Sequence, residues 1–271
     1  MSGNTGTTFD GSYLTYWKER VATPTDGSKV ADLAILDFYL SRLGIAPEDR
    51  VLDLGCGFGR LFPVLSRYTR LVIGMDISSA MLEAAAGFPY LCLVEGRMEQ
   101  TRLAGGTVSH IVSWATFDVV EQEQGLIEAN RVLKPGGCLL VTGKNLAYRQ
   151  DDQAAFVAER NAKLKGFPNH FTEVARILNG GSQEFGFQVA DAFGFCRRGD
   201  MGEHRYLALG SADFGACYEY LLILRKTGAP APHPPKIAHE FSATATARSM
   251  ESGFGADVRA FFAWDKEQRG D

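Results

Sequence analysis

Two rhythms of apolar and polar positions alternate along the chain. Short, nearly unbroken apolar runs at 50–54, 71–75, 90–94, 110–114 and 137–142 predict strands. Between them the spacing lengthens to that of a helix. Leu33, Leu36, Leu40 and Leu43 recur at helical intervals after Ser28, a candidate cap, and Gly44 with Pro47 ends that segment. Further helices are predicted at 78–86, 122–133 and 171–178. Aromatic and β-branched residues at 185–195 and 216–224 predict two more strands, seven in all. Strands alternating with helices predict a doubly wound α/β sheet. From Thr227 the rhythm stops: four prolines between Pro230 and Pro235 and then a Ser/Thr/Ala stretch predict a linker, with 258–264 as a short docking helix or a partly ordered end. The expected organisation is an N-terminal helical segment over 1–27, a main domain over 28–226, and a linker with tail over 227–271.

The first strand runs directly into Val51-Leu-Asp-Leu-Gly-Cys-Gly-Phe-Gly59. Glycine permits a sharp turn and a close ligand approach, and in open α/β sheets ligands bind at the carboxyl ends of the strands. A dinucleotide fingerprint would need a third glycine where Arg60 stands, and a phosphate-wrapping loop would need a Gly-Lys-Ser/Thr ending that is missing. The second strand ends in Asp76, 23 residues beyond Asp53. A carboxylate there accepts charge-assisted hydrogen bonds from ribose hydroxyls.

Asp53 with Gly55, Gly57 and Gly59, then Asp76 with Ile77, then Asn130-Arg-Val-Leu-Lys-Pro-Gly-Gly137 leading into Cys138–Thr142, together resemble the class I S-adenosylmethionine-dependent methyltransferases. The resemblance spans about Ser28 to Lys226. It implies a Rossmann-like, mostly parallel seven-stranded sheet with an antiparallel last strand, and S-adenosylmethionine as cofactor with S-adenosylhomocysteine as product. The implied cofactor set is Asp53, Gly55, Cys56, Gly57, Gly59, Asp76 and Ile77. Met98 or Glu99 would meet the adenine, since Arg97 replaces the family's usual acid. Trp114 and Ala115 lie in the loop after the fourth strand, which in the family borders the cofactor's methionine end and the acceptor. Tyr16 belongs to a segment that in relatives closes over the cofactor; an amphipathic helix packed on the domain is the alternative there.

Asp118 matches the loop acid of small-molecule O-methyltransferases of the ubiquinone-pathway type, although Val119 stands where those carry a histidine. The alternative for Asp118 is to cap a helix starting near Val120. His170 is the second candidate to face the acceptor, because imidazole titrates near neutrality and suits proton removal; His204 is a weaker one. His110 reads as structural. The loop lacks the Asn/Asp-Pro-Pro-aromatic signature of amino-directed nucleic-acid and glutamine methyltransferases. The expected activity is methyl transfer to a small molecule, with oxygen as the acceptor atom. The alternatives are nitrogen or carbon, a cofactor-binding regulatory subunit without catalysis of its own, and a nicotinamide oxidoreductase, which Arg60 disfavours.

Charge and cysteine usage add limits. A formal net charge of −4 gives no electrostatic reason to expect nucleic acid or an anionic membrane as partner. The five cysteines are scattered without a C-x-x-C pair, so reduced thiols are expected, and no resident metal. Met1-Ser-Gly-Asn-Thr-Gly lacks a signal-peptide pattern, and no run of about 18 apolar residues is present to span a bilayer. A cytoplasmic location is expected.

Overall fold

The computed structural model describes Thr15 and residues 33–148, 152–164, 167–212 and 214–240. Val51–Leu54 is buried at every position and forms β1, which pairs in parallel with β2 (Val72–Asp76) on one side and β4 (Val108–Ser113) on the other. Next to β2 lies β3 (Cys92–Glu95), and next to β4 lies β5 (Leu133–Asn145), both parallel. Beyond β5 the direction reverses: β9 (Glu219–Lys226) is antiparallel to it, followed by β7 (Phe187–Phe195) and β8 (Leu207–Ala208). The main order is β3-β2-β1-β4-β5-β9-β7-β8. The strand order reverses between β1 and β4, so the carboxyl ends of these two strands flank the crevice where such sheets take ligands.

Helices cover both faces. On one side α1 (Leu33–Leu40) and α2 (Phe62–Tyr68) pack over Val51, Val72, Val112, Leu140 and Phe193. Gly44 closes the turn after α1 with a left-handed φ of 65°. On the other side α4 (Gln122–Val132) presents Leu126, Ala129 and Val132 to Leu52, Ile73, Ile111 and Leu139. α3 (Ser79–Ala85) starts at Ser78, whose hydroxyl accepts the Met81 N–H.

Two expectations are corrected. The segment expected as a helix at 171–178 begins as a strand, β6 (His170–Thr172), because β5 continues past Thr142 and offers Lys144 and Asn145 to pair with Phe171 and Thr172. Only Val174–Arg176 and the turns that follow it are helical. The expected linker is part of the domain as far as residue 240. Ala238–Glu240 forms β10 against β6, Ile237 is fully buried, and the Ile237 and Ala238 N–H groups donate to Glu123 at 2.6 and 2.8 Å. Proline removes N–H groups from this stretch and favours extended backbone, and here that backbone carries the chain to the edge of β6. The expected segments 1–27 and 258–264 lie outside the described residues, Thr15 excepted.

Candidate cofactor and acceptor site

The three loop glycines have three different reasons. Gly55, at φ 77°, has the loop after β4 pressed against it: a Cβ there would lie 2.1 Å from the Thr116 hydroxyl oxygen. Gly59, at φ 89°, is covered by the Phe88 ring, 2.5 Å from a Cβ position. Gly57, at φ 54°, faces open space, which makes it the point where a ligand can approach the main chain. The loop is anchored on β2, with the Gly55 and Cys56 N–H groups donating to the Met75 carbonyl at 2.7 and 2.9 Å. Cys56 itself is buried, its thiol against the Gly74 backbone.

Asp76 joins the loop to the end of β2. Its Oδ2 accepts the Gly57 N–H and its Oδ1 the Ser78 N–H, both at 2.9 Å. Burial raises its carboxyl above the usual range, and the backbone N–H groups around it oppose that rise. Each oxygen keeps a second lone pair for a ligand donor. Ile77 follows half-buried.

Asp53 plays another part. It is buried on the α2 face and accepts the Tyr90 hydroxyl at 2.8 Å, while the Tyr90 ring packs on Phe62 with centroids 4.5 Å apart. Gly74 leaves room for that ring. Burial pushes the Asp53 carboxyl up to about 7, against the Tyr90 bond and Arg60. It braces the loop from within.

The remaining expected cofactor residues separate. The Met98 side chain is buried against Gly125, and Glu99 Oε1 accepts the Glu121 N–H at 2.9 Å, tying the loop after β3 to the start of α4. Trp114 is buried beside Tyr39. Ala115 is exposed with a left-handed φ of 55°, and its N–H donates to the Thr142 hydroxyl at 2.7 Å. A non-glycine residue in that region marks a loop held in place by its surroundings. Tyr16 lies outside the described residues.

The other half of the edge, where the acceptor residues were expected, is a buried charge cluster. Asp118 caps no helix, since α4 starts at Gln122 after Glu121. Instead Asp118 Oδ2 meets the Lys144 ammonium at 2.8 Å. Lys144 also donates to Glu159 Oε2 and Asn169 Oδ1, each at 2.9 Å. With three acceptors its charge is fixed: the nearby Asp118 and Glu159 raise its pKa despite burial. Glu159, on α5 (Gln153–Leu164), accepts as well from Asn169 Nδ2 at 2.6 Å and from the Tyr218 hydroxyl. Arg198 donates to the Tyr218 oxygen at 3.3 Å. His170 lies beside this cluster with Nδ1 2.6 Å from the Val120 carbonyl. A carbonyl only accepts, so Nδ1 carries a proton and donates it to Val120. His204 lies apart, packed on Phe38 and bonded to Tyr39. His110 is bonded to Asp49 at 3.3 Å, at the amino-terminal end of its sheet pairing.

Sequence reasoning missed Lys144, Glu159 and Glu219. The one signal available was two polar residues, Lys144 and Asn145, directly continuing an apolar strand at its ligand end. Among the described residues no group of three or more His, Cys, Asp and Glu is placed to hold a metal ion, and no helix is long and apolar enough to cross a membrane.

Known proteins agree with this geometry. Residues 52–141 match the methyltransferase domain family. The chain is 37% identical over 109 residues to a ubiquinone/menaquinone biosynthesis C-methyltransferase of Syntrophotalea carbinolica, covering 36% of this chain and 45% of that protein. It is 32% identical over 110 residues to a demethylmenaquinone methyltransferase of Symbiobacterium thermophilum, covering 36% and 44%. Less than half the length of either relative is thus spanned. The fold is shared with a Thermotoga maritima methyltransferase structure at TM-score 0.57 and 20% identity, over 79% of this chain and 99% of that one. Residues 52–141 thus resemble a methyltransferase domain, and the chain shares the fold of an S-adenosylmethionine-dependent methyltransferase structure. The cofactor of that family is S-adenosylmethionine, and the open Gly57 turn beside the Asp76 carboxylate fits a nucleoside-bearing ligand.

Proposed function

We propose that the whole chain is a methyltransferase that moves a methyl group from S-adenosylmethionine to a small-molecule acceptor. The observation that carries this reading is the pairing of Gly57 with Asp76, which places a carboxylate and an unobstructed backbone turn together at the switch point of the sheet. Asp76 would accept the ribose hydroxyls, with the turn at Gly57 beside them. When bound, the cofactor supplies an electrophilic methyl group, so the protein's tasks are orientation, water exclusion and proton handling. Asp53, through Tyr90, holds the loop's shape.

The acceptor side is the half of the edge carrying Asp118, His170 and Lys144. Asp118 has one oxygen taken by the Lys144 ammonium and acts there as that cation's partner. His170 holds the loop after β4 through Val120. A small-molecule hydroxyl remains our reading of the acceptor. Carbon is the second reading, supported by the names of the quinone-pathway relatives. The five free thiols are in keeping with action in a reducing cytoplasm.

Calorimetry with S-adenosylmethionine tests the cofactor site, and no binding to the folded chain would end this reading. Transfer from S-adenosylmethionine carrying a 13C-labelled methyl group, followed by NMR of the product, separates oxygen from carbon by chemical shift.

A further inference from the structure

Three carboxylates converge near Lys144 at the end of β5, and two of them are already engaged. Asp118 gives an oxygen to the ammonium. Glu159 accepts from Lys144 and Asn169 on one oxygen and from Tyr218 on the other. Glu219 is different. It opens β9 directly across from Lys144 in the antiparallel register, at the ligand edge of the sheet. Among the described residues its carboxylate accepts no hydrogen bond and joins no ion pair. The residue is half-buried at that edge.

We infer that Glu219 faces the acceptor and takes the proton of the acceptor's hydroxyl, the task expected of Asp118 or His170. This rests on the methyltransferase reading and narrows its substrate class to hydroxyl-bearing small molecules. The acceptor O–H bond breaks, the proton goes to a Glu219 carboxylate oxygen, and the electron pair stays on the acceptor oxygen, which becomes the nucleophile. The surroundings suit a base at neutral pH. Burial pushes Glu219 up to about 7; Arg198 and Lys144 pull it down, while Asp118 and Glu159 push it up. Tyr218, next to it in the chain, feels its charge and is held neutral by burial. Lys144 is locked in its charged form. The Tyr148 hydroxyl, buried near Glu159 and Lys144, has no hydrogen-bond partner among the described residues and is a second group left for a polar acceptor.

The test reads the carboxyl itself. The full chain, labelled with 13C at the glutamate side-chain carboxyl and bound to S-adenosylhomocysteine, is titrated by NMR. One glutamate should titrate near neutral pH in the parent and be missing from Glu219→Gln. In Asp118→Asn it should remain but titrate lower, because a neighbouring negative charge is gone. A Glu219 signal titrating in the ordinary carboxylate range overturns the inference. Should Glu219→Gln fail to fold, Glu219→Asp removes the signal from the glutamate spectrum, and its persistence there overturns the assignment.

4-Nitrophenol, whose phenolate absorbs in the visible, then probes the hydroxyl contact on the same complex. The parent should bind it as phenolate and Glu219→Gln should bind it about tenfold more weakly or worse. Equal binding, or none by the parent, counts against the inference. Calorimetry with S-adenosylhomocysteine keeps the two failures distinguishable: no binding there defeats the methyltransferase reading and the inference with it, whereas binding without a near-neutral Glu219 defeats the inference alone.

Discussion

The two halves of the ligand edge are built from different atoms. On the half proposed for the cofactor the partners of Asp76 are main-chain N–H groups, those of Gly57, 19 residues away, and Ser78, two away. On the half proposed for the acceptor they are side chains. Lys144 meets Glu159 and Asn169, 15 and 25 residues on, and Glu159 meets Tyr218, 59 residues on. A site made of backbone turns depends on φ and on the absence of Cβ atoms, and it tolerates change in the surrounding side chains. One made of buried charges depends on every partner being present, because a low-dielectric interior leaves an unpaired charge uncompensated.

Breaking the acceptor half should therefore cost most. Lys144→Met strands the buried Glu159 carboxylate and should destabilise the fold by about 3–5 kcal/mol in denaturant unfolding. Adding Glu159→Gln should recover part of that loss. Strictly additive effects would mean the two groups are uncoupled and would dissolve the contrast.

On the cofactor half, Gly55→Ala should destabilise by about 1–3 kcal/mol through overpacking against Thr116, with the left-handed φ adding to it. Thr116→Ala in that background should relieve only the steric share. Full rescue would show that backbone conformation matters less there than crowding.

Asp76→Ala should leave the chain folded and weaken S-adenosylmethionine binding roughly ten- to a hundredfold by calorimetry, the worth of about 1.5–3 kcal/mol of charge-assisted hydrogen bonds. Unchanged affinity would move the cofactor away from this half.

One further effect is shared by the halves. Asp53 and Glu219 both have folded-state pKa values raised from the carboxylate range to about 7. Between those limits the folded chain binds more protons than the unfolded one. Stability of the ligand-free protein should accordingly fall as pH rises from about 4 to about 8. Asp53→Asn and Glu219→Gln should each flatten part of that slope, and a slope unaffected by both would place the titrating groups elsewhere.

Legibility followed the same division. The turn proposed for the cofactor was readable because glycine at Gly57 and a carboxylate at Asp76 are local features, set by φ, chain direction and position at a strand end. Most strands were readable for a related reason, since runs such as Val51–Leu54 and Val72–Asp76 are apolar at nearly every position and have no stable place except between two layers. The strand at His170–Thr172 was not, because three residues carry no periodicity and become a strand only when the end of β5 offers them a partner. Nor was the docking of Ile237, which follows a proline-rich stretch that resembles a linker until Glu123 accepts its N–H.

By itself, then, the order of apolar runs and glycines determined a doubly wound sheet and pointed to Gly57 and Asp76 as the proposed cofactor site, since both readings rest on what stands at the strand ends. Tertiary structure alone decided the rest: that Asp118 pairs with Lys144, that Asp53 turns inward to Tyr90, and that Glu219 accepts no hydrogen bond among the described residues. Those outcomes depend on which distant side chains the packing brings to a buried charge, and burial makes that pairing a property of the packed interior.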